Sequence, residues 1–304
     1  MSRLTRMRRL YVASVLGAML ALVAMAGVGA ARDIRDGDRL VAVAAGERAG
    51  GSKTDITETA EGETLISESV KELQRTGHAY APSDLIAVRY GDGDAIVGPR
   101  LLGVVDLRKE GAGYRATVTA VEQPILVAAV GPITAAAPYW SPVSDNCWIL
   151  WRSTSHFDVC YRMYWMANDG IAGKDYWRLD MYGTMFTGTG RTADWGWLTM
   201  DQDAGPAQSY VSWDPTSDSA VGGCLSEILT GTVLGVQYGW NYSHCELWNI
   251  SKSGTTTLGY FKNEWSWAGV TPKKDADRGV ALTVTTKGNS GSPTFGLSWN
   301  FAEH

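Results

Sequence analysis

The stretch NCWILWRSTSHFDVCYRMYWM, residues 146–166, decides the fold class of this chain. It holds two runs of β-branched and aromatic residues, Cys147–Trp151 and Phe157–Met166, separated by a short polar segment. Runs of this length and composition are typical of β-strands. The chain beyond Tyr139 continues in the same way, with strand-like runs at 176–186, 210–213, 227–240, 245–250, 255–261 and 280–286. About eight short strands bounded by turns predict a mostly β domain over residues 139–304, an antiparallel β-sandwich or jelly-roll-like fold.

The preceding part of the chain has a different composition. All 13 tryptophans and all four cysteines follow residue 139. Residues 58–131 predict one amphipathic helix, from Thr59 to Gly77, and three strands at 84–90, 95–107 and 114–130. We interpret this segment as a small α+β module or pro-region, joined to the aromatic part by a linker at 132–138 that carries two prolines. Because the aromatic part has its own turns and cysteines, we expect it to fold alone.

The amino terminus predicts export. Four arginines and no acid precede an apolar run from Leu10 to about Ala26, which ends in small residues. This order is typical of a cleavable signal peptide over residues 1–30, and a retained membrane anchor is the alternative. Residues 31–57 are rich in Ala, Gly, Asp and Arg without a clear period, which predicts a flexible lead-in before the first folded element. We therefore expect a secreted protein, extracellular or associated with the cell envelope, with no membrane insertion after cleavage.

The net charge limits which partners the protein can bind, and the cysteine spacing indicates disulfides. Removing residues 1–30 removes four arginines, which leaves 23 basic residues against 32 acidic ones and a net charge near −9. A negative chain without a basic stretch excludes nucleic acid as a partner. The four cysteines allow three disulfide connectivities, of which local pairing, Cys147 with Cys160 and Cys224 with Cys245, is the expected one. Their spacing does not fit a metal site, and no cofactor motif occurs, so no metal and no cofactor are predicted.

A set of short strings in the aromatic part carries a family resemblance. The strings are Tyr139-Trp140-Ser141, Ser144-Asp145-Asn146-Cys147, Cys160-Tyr161, Asn168-Asp169-Gly170, Asp175-Tyr176-Trp177 and Tyr182-Gly183-Thr184. Their order resembles that of a group of uncharacterised secreted proteins from high-GC Gram-positive bacteria. The resemblance spans residues 139–184 and implies no activity.

Two tryptophan pairs are the candidate ligand-binding residues. Trp195 with Trp197, and Trp265 with Trp267, have the period-two spacing that places both rings on one face of a strand. If that face is exposed, the rings form a platform on which sugar rings stack, and polar neighbours such as Asp194 and Asn263 bind hydroxyl groups. If the face points inward, the rings belong to the core.

Catalytic interpretations are weaker, so the sequence leaves open whether the chain is an enzyme. Gly288–Pro293 resembles the nucleophile loop of trypsin-like serine proteases, with Ser290 as nucleophile, but no histidine lies in the expected context. The loop is predicted instead to be a turn between the last two strands. Acidic residues beside aromatics could serve a glycosidase, although nothing in the sequence sets the distance between two carboxyl groups; they are Asp158, Asp175, Asp180, Asp194, Glu246 and Glu264. No catalytic residue is therefore assigned.

These observations favour a secreted, non-catalytic module that binds polysaccharide or cell-surface glycan through exposed tryptophans. A secreted hydrolase, glycosidase rather than protease, is one alternative. A structural or cell-surface protein without a small ligand is the other.

Overall fold

The structure is a computed structural model, and it describes residues 52–100, 104–119, 137–204, 207–214, 224–245, 251–257, 260–268 and 278–304. In the strand segments 224–227, 243–245, 251–257 and 260–268 only the backbone is described. The predicted signal peptide, most of the lead-in and residues 132–136 of the predicted linker lie outside these ranges.

One α-helix, a short 3₁₀ turn at Pro82–Asp84 and sixteen strands make up the described part of the chain. In chain order the α-helix and strands are β1 (Lys53–Asp55), α1 (Ala60–Arg75), β2 (Leu85–Tyr90), β3 (Ala95–Pro99), β4 (Val104–Glu110), β5 (Gly113–Thr119), β6 (Tyr139–Arg152), β7 (Ser155–Ala167), β8 (Lys174–Phe186), β9 (Ala193–Ala204), β10 (Gln208–Asp214), β11 (Cys224–Val233), β12 (Val236–Cys245), β13 (Ser251–Thr257), β14 (Tyr260–Ala268), β15 (Arg278–Asn289) and β16 (Thr294–Glu303).

The strands form two large antiparallel sheets and one hairpin. The eight-stranded sheet has the order β1-β2-β3-β6-β7-β8-β15-β10, and the six-stranded sheet has the order β13-β14-β9-β16-β5-β4. Strands β11 and β12 pair only with each other, and we call them the outer hairpin. The predicted mostly β, sandwich-like fold is confirmed.

The main core lies between the inner faces of the two sheets. Strands bury alternate side chains there, as the pleat of a β-strand requires. Trp148 of the eight-stranded sheet stacks on Trp299 of the six-stranded sheet, with ring centroids 5.3 Å apart. Trp148 is 2% exposed and Trp299 is fully buried. The contact of these two indoles shows that the two sheets share one core.

Helix α1 covers one part of the outer face of the eight-stranded sheet. Its N-cap is Thr59, whose side chain accepts a hydrogen bond from the Gly62 amide at 3.1 Å, and Gly77 beyond its end has φ +91°. Ile66 and Leu73 are buried in a second core against β2, β3 and β6. The predicted helix is thus confirmed, with its apolar face turned to the sheet. No helix in the described part of the chain has the length and apolarity needed to cross a bilayer.

The outer hairpin covers another part of the same outer face. Its side chains alternate between buried and exposed, with Leu229, Val233, Tyr238 and Tyr242 buried. Tyr242 donates a hydrogen bond to the Gly183 carbonyl of β8 at 3.0 Å. Tyr238 Oη lies 2.6 Å from Thr285 Oγ1 of β15. The hairpin therefore packs against β8 and β15.

The predicted linker does not separate two sheets. Strand β3 pairs with β6, and β5 pairs with β16, so strands from before residue 132 enter both sheets of the sandwich. The described residues, from Ser52 onward, belong to one compact unit. The low-aromatic segment and the aromatic segment thus share one core, because strand pairing joins residues far apart in sequence.

Three predicted strands are wrong in their extent. The run 255–261 supplies the end of β13 and the start of β14. The run 227–240 contains a turn at Leu234 and Gly235, both with positive φ, so it supplies parts of both hairpin strands. The run 95–107 supplies β3 to one sheet and the start of β4 to the other. Composition marks a strand but does not show where it must turn. The turn between the last two strands, at Ser290–Pro293, is confirmed.

The disulfide between Cys147 and Cys160 is confirmed, and it is fully buried between β6 and β7. Cys224 and Cys245 lie opposite each other in the register of the outer hairpin. That register suits the second predicted pairing, which stays a prediction because those side chains are not described.

Candidate functional site

The ten tryptophans whose side chains are described are buried or half-buried, and none of these ten is fully exposed. Four are buried, namely Trp148, Trp151, Trp177 and Trp299. Six are half-buried, namely Trp140, Trp165, Trp195, Trp197, Trp213 and Trp240. Any aromatic platform among them is therefore formed by rings that are partly packed against the protein.

Trp195 and Trp197 lie on β9, in the interior of the six-stranded sheet between β14 and β16. Leu198 and Met200 of the same strand are buried in the main core. Since successive side chains point to opposite faces, Trp197 and Thr199 belong to the outer face of this sheet. Trp195 is also in contact with the edge of the main core. Trp197 is thus the more outward of the two rings.

Trp197 lies over the backbone of the neighbouring strands. In register it is opposite Asn300 of β16, and the next strand along that row is β5. A Cβ atom on Gly113 of β5 would lie only 2.7 Å from Trp197 Cζ2 and 2.8 Å from the Trp299 carbonyl oxygen. The indole therefore occupies space that only a glycine at residue 113 leaves open.

A polar network continues from Trp197 along the same outer face. Arg115 of β5 donates two hydrogen bonds to Asp201 of β9, Nη2 to Oδ1 at 2.6 Å and Nη1 to Oδ2 at 3.1 Å. Arg115 Nη1 also donates to Ser298 Oγ at 3.2 Å. The side chain crosses β16 at Gly296, where a Cβ atom would collide with both Arg115 and Asp201. We call Trp197, Arg115, Asp201, Ser298 and Asn300 the outer-face site.

The charge of the outer-face site is negative. Arg115 lies 3.6 Å from Asp203 and 3.6 Å from Glu110, in addition to its hydrogen bonds with Asp201. Burial acts to lower the pKa of Arg115, but the hydrogen bond and charge of Asp201 outweigh it, and the pKa is raised. One permanently charged guanidinium thus faces three acidic side chains.

The other predicted ligand-binding residues lie on or beside the same sheet. Asp194 is paired with the imidazole of His304 at the chain terminus. Asn263, Trp265 and Trp267 lie on β14, and their side chains are not described. In register, Trp265 is opposite Leu198 and Trp267 is opposite Gly196. The structure therefore brings all six predicted residues to two adjacent strands.

Four of the acidic residues proposed for a glycosidase have described side chains, and these are dispersed and occupied. Glu246 lies outside the described residues, and the side chain of Glu264 on β14 is not described. Asp180 is fully buried, and its Oδ1 accepts hydrogen bonds from Arg178 Nε at 2.8 Å and Thr283 Oγ1 at 2.6 Å. Burial raises the pKa of Asp180, as a catalytic acid would need, but no sugar can reach it. Asp158 is 1% exposed and binds Arg75. Asp175 accepts a hydrogen bond from the Gly291 amide at 3.2 Å.

Ser290 is exposed in the turn before β16, and its amide donates to the Gly173 carbonyl at 3.3 Å. Three histidines have described side chains, and each has contacts elsewhere. His78 contacts Asp145, His156 lies near Asp158, and His304 contacts Asp194. The described surroundings of Ser290 therefore do not supply a base.

Sequence reasoning missed Arg115, Ser298 and Asn300. They lie on β5 and β16, which are far from β9 in sequence and adjacent to it only through strand pairing. The one available signal was Arg115, a charged residue inside a β-branched run.

Comparisons with known proteins give little. A scan against protein-family models finds no match, and a search of curated proteins finds none either. One solved structure, a pore-forming protein, is 8% identical and matches 65% of this chain and 89% of its own, with a TM-score of 0.32. Another, the Clostridium perfringens NetB toxin in its membrane-inserted form, is 7% identical. The match covers 55% of this chain and 90% of the toxin chain, with a TM-score of 0.27. Similarity this low supports no conclusion about function.

Proposed function

We propose that this chain is a secreted, non-catalytic protein that binds a neutral glycan on the outer face of its six-stranded sheet. The observation that carries the proposal is Trp197, a half-buried indole beside a row of hydrogen-bonding groups. Sugar sites commonly combine an aromatic surface with a few fixed polar groups that set the orientation of the ligand. The outer-face site has both.

The polar groups of this site are held in place before any ligand arrives. Arg115 is 9% exposed and tied to Asp201 by two hydrogen bonds, so its position is set by its partners. Asn300 is 4% exposed and donates to the Ala112 carbonyl. Groups that are already ordered lose little conformational entropy on binding, which favours affinity.

The charge of the site selects the class of glycan. Three acids around one arginine, in a chain of net negative charge, repel sulfated and uronic-acid polysaccharides. Neutral polysaccharides carry no such penalty, and their hydroxyl groups can both donate and accept hydrogen bonds. Secretion, proposed from the amino-terminal sequence, would place this site where such polymers occur.

Retention on insoluble polysaccharide tests the proposal. We expect the protein to bind at least one of cellulose, chitin and xylan, and not to bind heparin at moderate ionic strength. Trp197→Ala should abolish this binding. Trp240→Ala is the matched control, since Trp240 is also half-buried but lies on the outer hairpin. Binding that survives Trp197→Ala, or a preference for heparin, would contradict the proposal, and a wild type that binds none of them would favour the structural or surface-protein alternative.

A further inference from the structure

Three side chains meet beneath the end of helix α1, away from the outer-face site. His156 and Asp158 are two residues apart on β7, so both lie on its outer face. Glu72 comes from the last turns of α1, which packs on that face. His156 Nε2 lies 3.7 Å from Glu72 Oε2 and 3.5 Å from Asp158 Oδ1. The metal-binding atoms of the three residues all lie within 4.8 Å of one another.

These separations suit a bound metal ion better than they suit hydrogen bonds. A hydrogen bond needs roughly 2.7–3.2 Å between its heavy atoms, which is shorter than either distance. Two ligand atoms each about 2.1 Å from a tetrahedral metal ion lie about 3.4 Å apart. The observed spacing is therefore close to that of ligands around one ion.

The imidazole of His156 is ordered, and its Nε2 faces the two acids. The ring lies between Trp151 and Phe186, with centroid distances of 4.6 and 4.9 Å. Its side chain is 10% exposed, and Nε2 is buried without a hydrogen-bond partner. Buried polar atoms normally have a partner, so an atom without one needs an explanation. Burial lowers the pKa of His156 to about 4.

Arg75 contacts both carboxylates of the cluster but neutralises only one of their two negative charges. It donates to Glu72 Oε2 at 2.9 Å and to Asp158 Oδ2 at 3.1 Å, so it holds the carboxylate oxygen of Asp158 that is directed away from His156. A donor that fixes a ligating carboxylate through its other oxygen is a common support of metal sites. Two carboxylates against one guanidinium leave one net negative charge beside the buried His156 ring.

We propose that Glu72, His156 and Asp158 bind a divalent transition-metal ion, with zinc as the best fit. One imidazole with two carboxylates is a ligand set that zinc accepts, whereas magnesium prefers oxygen ligands alone. Glu72 is 28% exposed in its side chain, so the ion enters from that side and a water molecule completes its coordination. The ion would join α1 to β7 and hold the helix on the sheet.

Zinc titration of the metal-free full-length protein tests this site. After treatment with EDTA and its removal, we expect calorimetry to show one zinc ion bound per chain. The thermal midpoint should rise with zinc concentration, because an ion that binds only the folded state stabilises it. Magnesium at the same concentrations should leave the midpoint unchanged. A wild type that binds no zinc at 1 mM, or that responds equally to magnesium, would overturn the proposal.

Glu72→Gln separates this site from adventitious binding. Glu72 is half-buried, so the variant keeps the fold, and we expect zinc affinity to fall at least about tenfold. Glu61→Gln, on the exposed face of the same helix, is the matched control and should bind zinc as the wild type does. Equal affinity in the two variants would show that the ion binds elsewhere. Polysaccharide retention should be unchanged in both, since the outer-face site lies on the other sheet.

Discussion

The outer faces of the two sheets differ in what covers them. The outer face of the eight-stranded sheet carries helix α1 at one end and the outer hairpin at the other. On the outer face of the six-stranded sheet, half-buried Trp197 and Asp201 retain solvent access. The covered face is held by apolar contacts and buried pairs such as Arg178 with Asp180. The six-stranded sheet thus keeps its ordered polar groups within reach of a ligand, which is why we place binding there.

The largest expected effect comes from removing the amino-terminal strands. A chain that begins at Pro138 loses β1 to β5, which leaves β6 and β16 without a partner on one side. We expect no cooperative thermal transition and no near-ultraviolet circular dichroism, because the lost strands bury side chains such as Tyr114 in the main core.

A chain that begins at Ser52 is the control, since it contains every described strand, and it should melt cooperatively. If the shorter chain also melts cooperatively, the aromatic segment folds alone, as its composition first indicated, and the amino-terminal strands only extend its sheets.

A smaller loss of stability is expected from single tryptophan substitutions, and its size should differ between the core and the outer face. Trp148→Ala removes a ring stacked between Tyr161 and Trp299 and should cost about 3–5 kcal/mol of unfolding free energy. Trp197→Ala removes a half-buried ring whose neighbours can rehydrate, so it should cost roughly 1–2 kcal/mol. Urea unfolding followed by far-ultraviolet circular dichroism measures both. Equal costs would mean that Trp197 acts as a core residue, and the outer-face site would lose its aromatic surface.

The smallest effect on stability is expected at Gly296. An alanine there displaces the Arg115 side chain from Asp201, both of which are flexible at their ends. The side chains of this ion pair are only 11% and 13% exposed, but Glu110 and Asp203 also lie 3.6 Å from Arg115 and still partner its charge when Asp201 is lost. The net cost should therefore be on the order of 1 kcal/mol, equivalent to about 2–4 °C in the thermal midpoint. Polysaccharide retention should nevertheless fall sharply, because the polar row beside Trp197 is disordered.

Gly239→Ala on the outer hairpin is the matched control. Its nearest neighbour to an added Cβ is 3.4 Å away, so the residue can be replaced without displacing anything. Retention that is the same in Gly296→Ala and Gly239→Ala would show that Arg115 and Asp201 take no part in binding.

Local features of the chain were readable from the sequence alone. The helix follows from the spacing of Leu65, Ile66, Val70 and Leu73, with Thr59 as its cap. The β class follows from composition. The short separation of Cys147 and Cys160, 13 residues, favoured their pairing among the three connectivities that the sequence allowed. Each of these depends on residues within one or two turns or strands of each other, where the chain itself sets the distance.

Tertiary structure decided what those elements do. Strand order placed β5 beside β16 and β16 beside β9, which brought Arg115 within 2.6 Å of Asp201 across 86 residues of sequence. It also placed His156 beside Glu72 beneath α1, although the sequence predicted no metal site. Pairing between distant strands depends on how much apolar surface both sheets bury in total. A short stretch of sequence does not show that total. The sequence by itself therefore determined the helix and the β class and favoured a local cysteine crosslink, and the packing of the sheets determined where strands turn and which side chains share a site.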